Sequence, residues 1–137
     1  MPRILSFLLP LVLLLTGCYT YTQAPGAVGK VIDADTGAPV LGARITRPFI
    51  AGGLGATIGV PVEGLPAVTI STDKSGRFDL APATHTQIAF MYLHNPASIS
   101  SSFVISADGY VTNELHGVAT SRSLWRVDLG RVVLSKP

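Results

Sequence analysis

Apolar and polar residues alternate with a period of two over several short stretches of this 137-residue chain, and that period sets successive side chains on opposite faces of a strand. Val28, Val31 and Ile32 form a β-prone run, residues 33–39 carry turn chemistry, and Val40, Leu41 and Ile45 resume the apolar pattern. Residues 28–45 therefore predict a hairpin with an elaborate turn, its second strand around 43–47. Val68, Ile70, Phe78 and Leu80 share one face, with Thr69, Ser71, Arg77 and Asp79 on the other. With a turn at 73–76 and Gly76 in the left-handed region, they predict a tight second hairpin. Residues 88–93 are apolar on both parities, as a central strand covered on both sides would be. Phe103, Ile105 and Ala107 alternate into an Asp108-Gly109 turn, after which Tyr110 is expected to lay its ring on the core with its hydroxyl at the edge. Trp125, Val127 and Leu129 have one parity and Val132 and Leu134 the other, which predicts a bulge at Gly130 that returns them to the buried face.

The stretch 49–67 breaks this pattern. Between Arg47 and Asp73 the one charged residue is Glu63, and glycines punctuate an aliphatic run. Its glycines lack the spacing, and the following Lys-Ser/Thr or helix, that would aim amides at a phosphate. Two readings are open: a long loop whose aliphatics fold over one end of the fold, or an apolar contact surface for a partner or a membrane. In the second, Phe49, Ile50, Leu54, Ile58, Val60, Val62 and Leu65 would make the contact.

Three segments carry a resemblance. The Gly-x-Val-x-Asp run from Gly29 to Asp33 with Thr36-Gly37-x-Pro39-Val40-x-Gly42-Ala43-x-Ile45, then Thr72-Asp73-Lys74-Ser75-Gly76-Arg77-Phe78, then Gly109-Tyr110-Val111 resemble, in order, the signatures of the carboxypeptidase regulatory-like domain. The resemblance covers most of residues 27–134. It implies an all-β, transthyretin-like antiparallel β-sandwich of about seven strands over 27–137, a non-catalytic module that serves many hosts.

The first segment reads as an export signal. Arg3 supplies a positive start, residues 4–15 form an apolar region interrupted by Pro10 and too short to span a bilayer, which takes ~20 residues, and Leu15-Thr16-Gly17-Cys18 resembles the lipobox of bacterial lipoproteins. The expectation is a signal peptide over 1–17, lipidation of Cys18, and a short tether over 18–26 that reaches at most ~32 Å. Several acyl chains hold a domain on a bilayer where one would not. Tyr19, rather than Asp, after the cysteine favours the periplasmic face of the outer membrane over retention at the inner one.

Charge and side-chain chemistry narrow the function. Without Arg3, nine basic residues stand against eight acidic ones, which gives no electrostatic reason to expect nucleic acid. Cys18 is the single cysteine, so the domain folds without disulfides, as a sandwich of this size can. Asp33 and Asp35 ahead of a glycine suggest a calcium loop, but Gly37 falls one position early and Arg44 stands where a bidentate glutamate belongs. Asp side chains bonding their own turn amides are the simpler reading. Ser71-x-x-Lys74 matches a serine-nucleophile pattern, but it runs off a strand without companion motifs. His85, His94 and His116 are spaced for no zinc set, and none opens a His-x-x-Glu pair. The C-terminus does not match the Tyr-Arg-Gly-Ser of transthyretin-like hydrolases, which leaves that activity a remote alternative. No catalytic, metal or cofactor residue is therefore assigned. The expected partners are a membrane, through Cys18, and an envelope protein. A glycan is less favoured: with Phe78, Phe90, Tyr92, Phe103, Tyr110 and Trp125 assigned to the core, Tyr19, Tyr21 and Phe49 alone remain as sugar platforms.

Overall fold

A computed structural model describes residues 17–50, 53–54, 61–62, 64–89 and 97–137. Among these the chain is β throughout, apart from one 3-10 turn at Ser121–Ser123. The strands are β1 (Gly17–Ala24), β2 (Gly26–Asp33), β3 (Arg44–Arg47), β4 (Gly53–Leu54), β5 (Pro61–Val62), β6 (Val68–Ser71), β7 (Arg77–Leu80), β8 (Ala83–Ala89), β9 (Ser98–Ser106), β10 (Asn113–Thr120) and β11 (Arg126–Leu134). Seven of them build a β-sandwich: one sheet has the order β10-β9-β3-β6 and the other β11-β2-β7. Ile45, Phe103, Ile105 and Ala119 of the first sheet and Ala27, Val31, Phe78, Leu80, Val127, Val132 and Leu134 of the second bury one continuous core. At roughly 1.5–3 kcal/mol for each large side chain removed from water, that core is the main source of stability.

The alternation identified the inward faces, while the partners of the strands differ from expectation. β2 and β3 lie in different sheets, joined by an arch over 34–43. There the chain pairs with itself through the Ile32–Pro39 bridge and the Val40 N–H donating to the Val31 carbonyl at 3.1 Å. β6 and β7 likewise belong to opposite sheets, so residues 72–76 turn across the sandwich instead of closing a hairpin. A period of two says which side chains point inward but not which sheet receives the strand. β11 lies parallel to β2, from Arg126 opposite Gly26 to Leu134 opposite Asp33, where antiparallel pairing was expected. The chain reaches it from β10 in the other sheet through Leu124 and Trp125, both left-handed at φ 51° and 58°, and so enters at the end where β2 begins. The expected bulge is present: the register shifts between Asp128 and Gly130, Gly130 has φ 60°, and its N–H donates to Asp128 Oδ1 at 2.8 Å.

Both sheets run on into two-stranded ribbons. β3 and β6 pair from Arg44 opposite Ser71 to Arg47 opposite Val68. The same register continues through Ile50 opposite Leu65 to Gly53 opposite Val62 and Leu54 opposite Pro61. Pro48 and Pro66 have no N–H to give, which interrupts the ladder without shifting it. The stretch 49–67, for which a long loop was one of two readings from sequence, continues the β3–β6 pairing in its described parts. β2 and β7 behave alike. Val31 donates to the Gly76 carbonyl, so the odd residues of β2 turn their N–H groups to β7, and Ala27 stands opposite Leu80. One further step sets Pro25 opposite Pro82, two residues that cannot exchange hydrogen bonds. Beyond them β1 pairs with β8, from Ala24 opposite Ala83 to Gly17 opposite Ala89, with a bulge between Thr22 and Ala24. Within the stretch 18–26, expected as a tether, residues up to Ala24 are paired strand. Of the expected central strand at 88–93, Ile88 and Ala89 lie in β8, whose partner among the described residues is β1, and 90–93 lie outside the described residues.

Candidate functional site

The two ribbons leave the same end of the sandwich. The arch over 34–43 joins the C-terminal end of β2 to the N-terminal end of β3, so the N-terminal end of β2 and the C-terminal end of β3 lie together at the opposite pole. Arg47, the last residue of β3, ties them. It is 4% exposed, and its Nη1 donates to the Pro25 carbonyl at 3.1 Å and the Ala81 carbonyl at 3.2 Å. The Pro25 carbonyl is one that Pro82, lacking an N–H, cannot satisfy, so the guanidinium supplies what the proline pair removes. Burial pushes the Arg47 pKa below its ordinary value, and its Nε has no hydrogen-bond partner. Gly26 fits beside this junction because a Cβ there would run into the Leu80 carbonyl. Arg47 was not singled out from sequence; its signal was a cation closing an apolar strand immediately before a proline.

The other pole is held by Asp33. Its carboxylate is buried and accepts the Asp35 and Thr36 N–H groups, both at 2.9 Å, and the Thr36 hydroxyl at 3.0 Å through Oδ1. Oδ2 accepts the Tyr110 hydroxyl at 2.7 Å and faces Lys136 Nζ at 3.4 Å, while Lys136 also lies over the Tyr110 ring, 5.6 Å from its centre. The Tyr110 hydroxyl, with the Thr36 donors, holds the Asp33 pKa far below the usual carboxylate range, and the same bond raises that of Tyr110. Asp73 repeats the device at the neighbouring turn, accepting the Ser75 hydroxyl at 2.7 Å and the Ser75 and Arg77 N–H groups at 2.8 and 2.9 Å. The expected turn role of an aspartate is met at Asp33, and the Tyr110 ring packs on the core with its hydroxyl at the edge. Every donor to Asp33 here serves architecture, clasping the arch, the 107–110 turn and the C-terminal residues.

The sequence-derived positions distribute unevenly. Cys18 lies in β1 opposite Ile88. Phe49 is 65% exposed, and Ile50 and Leu65 exchange both backbone hydrogen bonds, at 3.0 and 2.9 Å. Leu54 and Val62 lie on the two strands of the same ribbon, and Ile58 and Val60 lie outside the described residues. His85 meets the Tyr21 ring at 5.7 Å in the β1–β8 ribbon, His116 stands 3.8 Å from Glu114 on β10, and His94 is outside the described residues. Among the described residues no three His, Cys, Asp or Glu side chains gather as a metal site.

No family model matches the chain, and no curated protein matches it. Among solved structures the chain is similar to a 3-chlorocatechol 1,2-dioxygenase from Rhodococcus opacus 1CP, at 15% identity and a TM-score of 0.48. The match covers 85% of this chain and 62% of that enzyme, less than two thirds of its length. A likeness at that level carries neither residues nor chemistry across.

Proposed function

We propose that the chain is a lipid-anchored envelope protein, held at Cys18 on the periplasmic face of the outer membrane, whose β-sandwich of the carboxypeptidase regulatory-like kind is a non-catalytic module that engages a partner. The observation that carries this reading is Leu15-Thr16-Gly17-Cys18 following a short apolar segment. The sandwich supports it through what its polar side chains do: Asp33, Asp73, Tyr110 and Arg47 all spend their hydrogen bonds on the chain's own turns and junctions. Among the described residues no helix is long and apolar enough to cross a membrane, so in this reading attachment rests on the acyl chains. Cells carrying the wild-type or Cys18→Ser chain are fed a palmitate analogue and their envelopes fractionated. Label on the wild type and none on Cys18→Ser is expected; equal label on both overturns the reading.

A further inference from the structure

We infer that the outer face of the β11-β2-β7 sheet is a binding site for a soluble phosphomonoester, held between Arg131, Lys30 and Arg77. The site uses none of the residues of the lipid-anchor reading, and it stands or falls without Cys18.

Strand pairing brings the three cations together. Lys30 of β2 stands opposite Arg131 of β11 on one side and Arg77 of β7 on the other, so they occupy one rung across all three strands. Val31, Phe78 and Val132, their neighbours in sequence, point into the core, which turns the rung outward. Like charges directly opposite one another destabilise a sheet. Cations on edge strands discourage pairing with other chains, and β11 and β7 are the edges of this sheet. Lys30 sits on the central strand, where there is no edge to protect, so its charge needs another reason.

The nearby acids do not relieve the rung. Asp128 and Asp79 hold the next outward positions, either side of Val28. Asp79 is paired with Arg126 at 2.8 Å, and Asp128 accepts the Gly130 N–H at 2.8 Å. Asp73, before the start of β7, gives its carboxylate to the Ser75 hydroxyl and to the Ser75 and Arg77 N–H groups. Among the described residues none of the three cations has an ion pair. The face carries four cations against two carboxylates, a net charge of +2 that equals the formal net charge of the whole chain.

Charge and shape select the ligand. A phosphomonoester carries about −1.5 to −2 at neutral pH and three terminal oxygens, which matches both the net charge of the face and the three cations. A carboxylate offers one charge and two oxygens. With neighbouring strands ~4.8 Å apart, the outer two Cα atoms stand about 10 Å from each other. Two arginine forks can close that gap from either side, over the point charge of the lysine between them. Asp79 and Asp128, one outward position along, repel any anionic surface broad enough to cover both rungs. A flat bilayer, or a polyanion lying along the strands, is therefore a poor fit, and a compact dianion seated on one rung is a good one.

The test follows thermal melting of the purified full chain in a neutral detergent, titrated with glycerol 3-phosphate against sodium chloride of equal ionic strength. The melting temperature is expected to rise along a saturation curve, because a ligand bound to the folded state alone stabilises it. Lys30→Gln should weaken that binding roughly tenfold, as the loss of one charge-assisted contact does, and Arg77→Gln and Arg131→Gln should do likewise. Arg122→Gln, which removes an exposed cation on the 3-10 turn, should leave it unchanged. The general stabilising action of phosphate salts persists in every variant, so the difference between variants reads the rung. Equal curves for wild type and Lys30→Gln overturn the site, and so does an equal loss in Arg122→Gln, which would make the effect one of total charge. A rise when phosphatidylglycerol is added to the micelles, with none from glycerol 3-phosphate, gives the rung to a lipid surface and overturns the soluble ligand.

Discussion

The two poles of the sandwich solve the same problem in opposite ways. At the Asp33 pole the chain reverses within a few residues, and carboxylates satisfy the turn amides, so backbone, side chain and C-terminal residues are clasped locally. At the Arg47 pole the lines of β2, β7, β3 and β6 run on as ribbons, prolines puncture the ladders, and one buried guanidinium bridges the gap. A pole rich in short-range hydrogen bonds gives rigidity and presents little new surface. A pole of extended pairs gives reach, and there Cys18 lies on one ribbon and Ile50 and Leu65 pair at the base of the other.

The sharpest way to break the contrast is at its single bridging side chain. Arg47→Met keeps the volume and removes the donors, leaving the buried Pro25 carbonyl without its partner and the part-buried Ala81 carbonyl without one of its own. Urea unfolding of a Cys18→Ser form lacking residues 1–16 should show a loss of about 2–3 kcal/mol. A midpoint unchanged from the parent would mean that the ribbons need no bolt.

At the clasped pole two glycines separate conformation from space. Gly76 has φ 74°, and a Cβ on it would stand 2.5 Å from the Val31 carbonyl oxygen; Gly37 has φ 68° with nothing within 4 Å. Gly37→Ala should cost only the left-handed penalty, ~1 kcal/mol. Gly76→Val should cost that and the displacement of β2 as well, so its midpoint in the same titration should fall clearly further. Equal losses would refute the close approach of the 73–76 turn to β2.

The smallest change expected is at Tyr110→Phe, which withdraws one donor from Asp33. Because the folded pKa of Asp33 is depressed below its ordinary 3.8, the stability it contributes is present above that value and fades as the pH falls toward the folded pKa. Thermal melts should therefore show Tyr110→Phe below wild type at pH 6, with the gap closing below pH 3. A gap independent of pH would assign the effect to ring packing instead.

What the sequence revealed follows from the range of the interactions involved. Inward faces, the Gly76 and Gly109 turns and the Gly130 bulge are written in neighbouring residues, and alternation with a glycine at each break exposes them. Strand partners are not. Residues 28–45 and 68–80 read as hairpins because turn chemistry is the same whether a chain returns beside itself or crosses to a facing sheet. The ribbons escaped notice for a related reason: Pro25, Pro48, Pro66 and Pro82 announce breaks, and nothing local says that the register survives them. Arg47 acts on carbonyls 22 and 34 residues distant, a separation at which sequence spacing carries no geometric information. Of the seven residues proposed for contact, Ile50, Leu54, Val62 and Leu65 lie on the two strands of one ribbon, a placement that comes from pairing alone.

The parallel alignment of β2 and β11 decides how the molecule bears load. Pulling the start of β2 one way and the end of β11 the other draws two parallel strands lengthwise past each other, from Gly26 against Arg126 to Asp33 against Leu134. Their hydrogen bonds lie across that direction and must yield together, not one after another as in an unzipping hairpin. A domain held at its first strand and tugged through its last residues is therefore mechanically stiff along that axis, whatever its equilibrium stability.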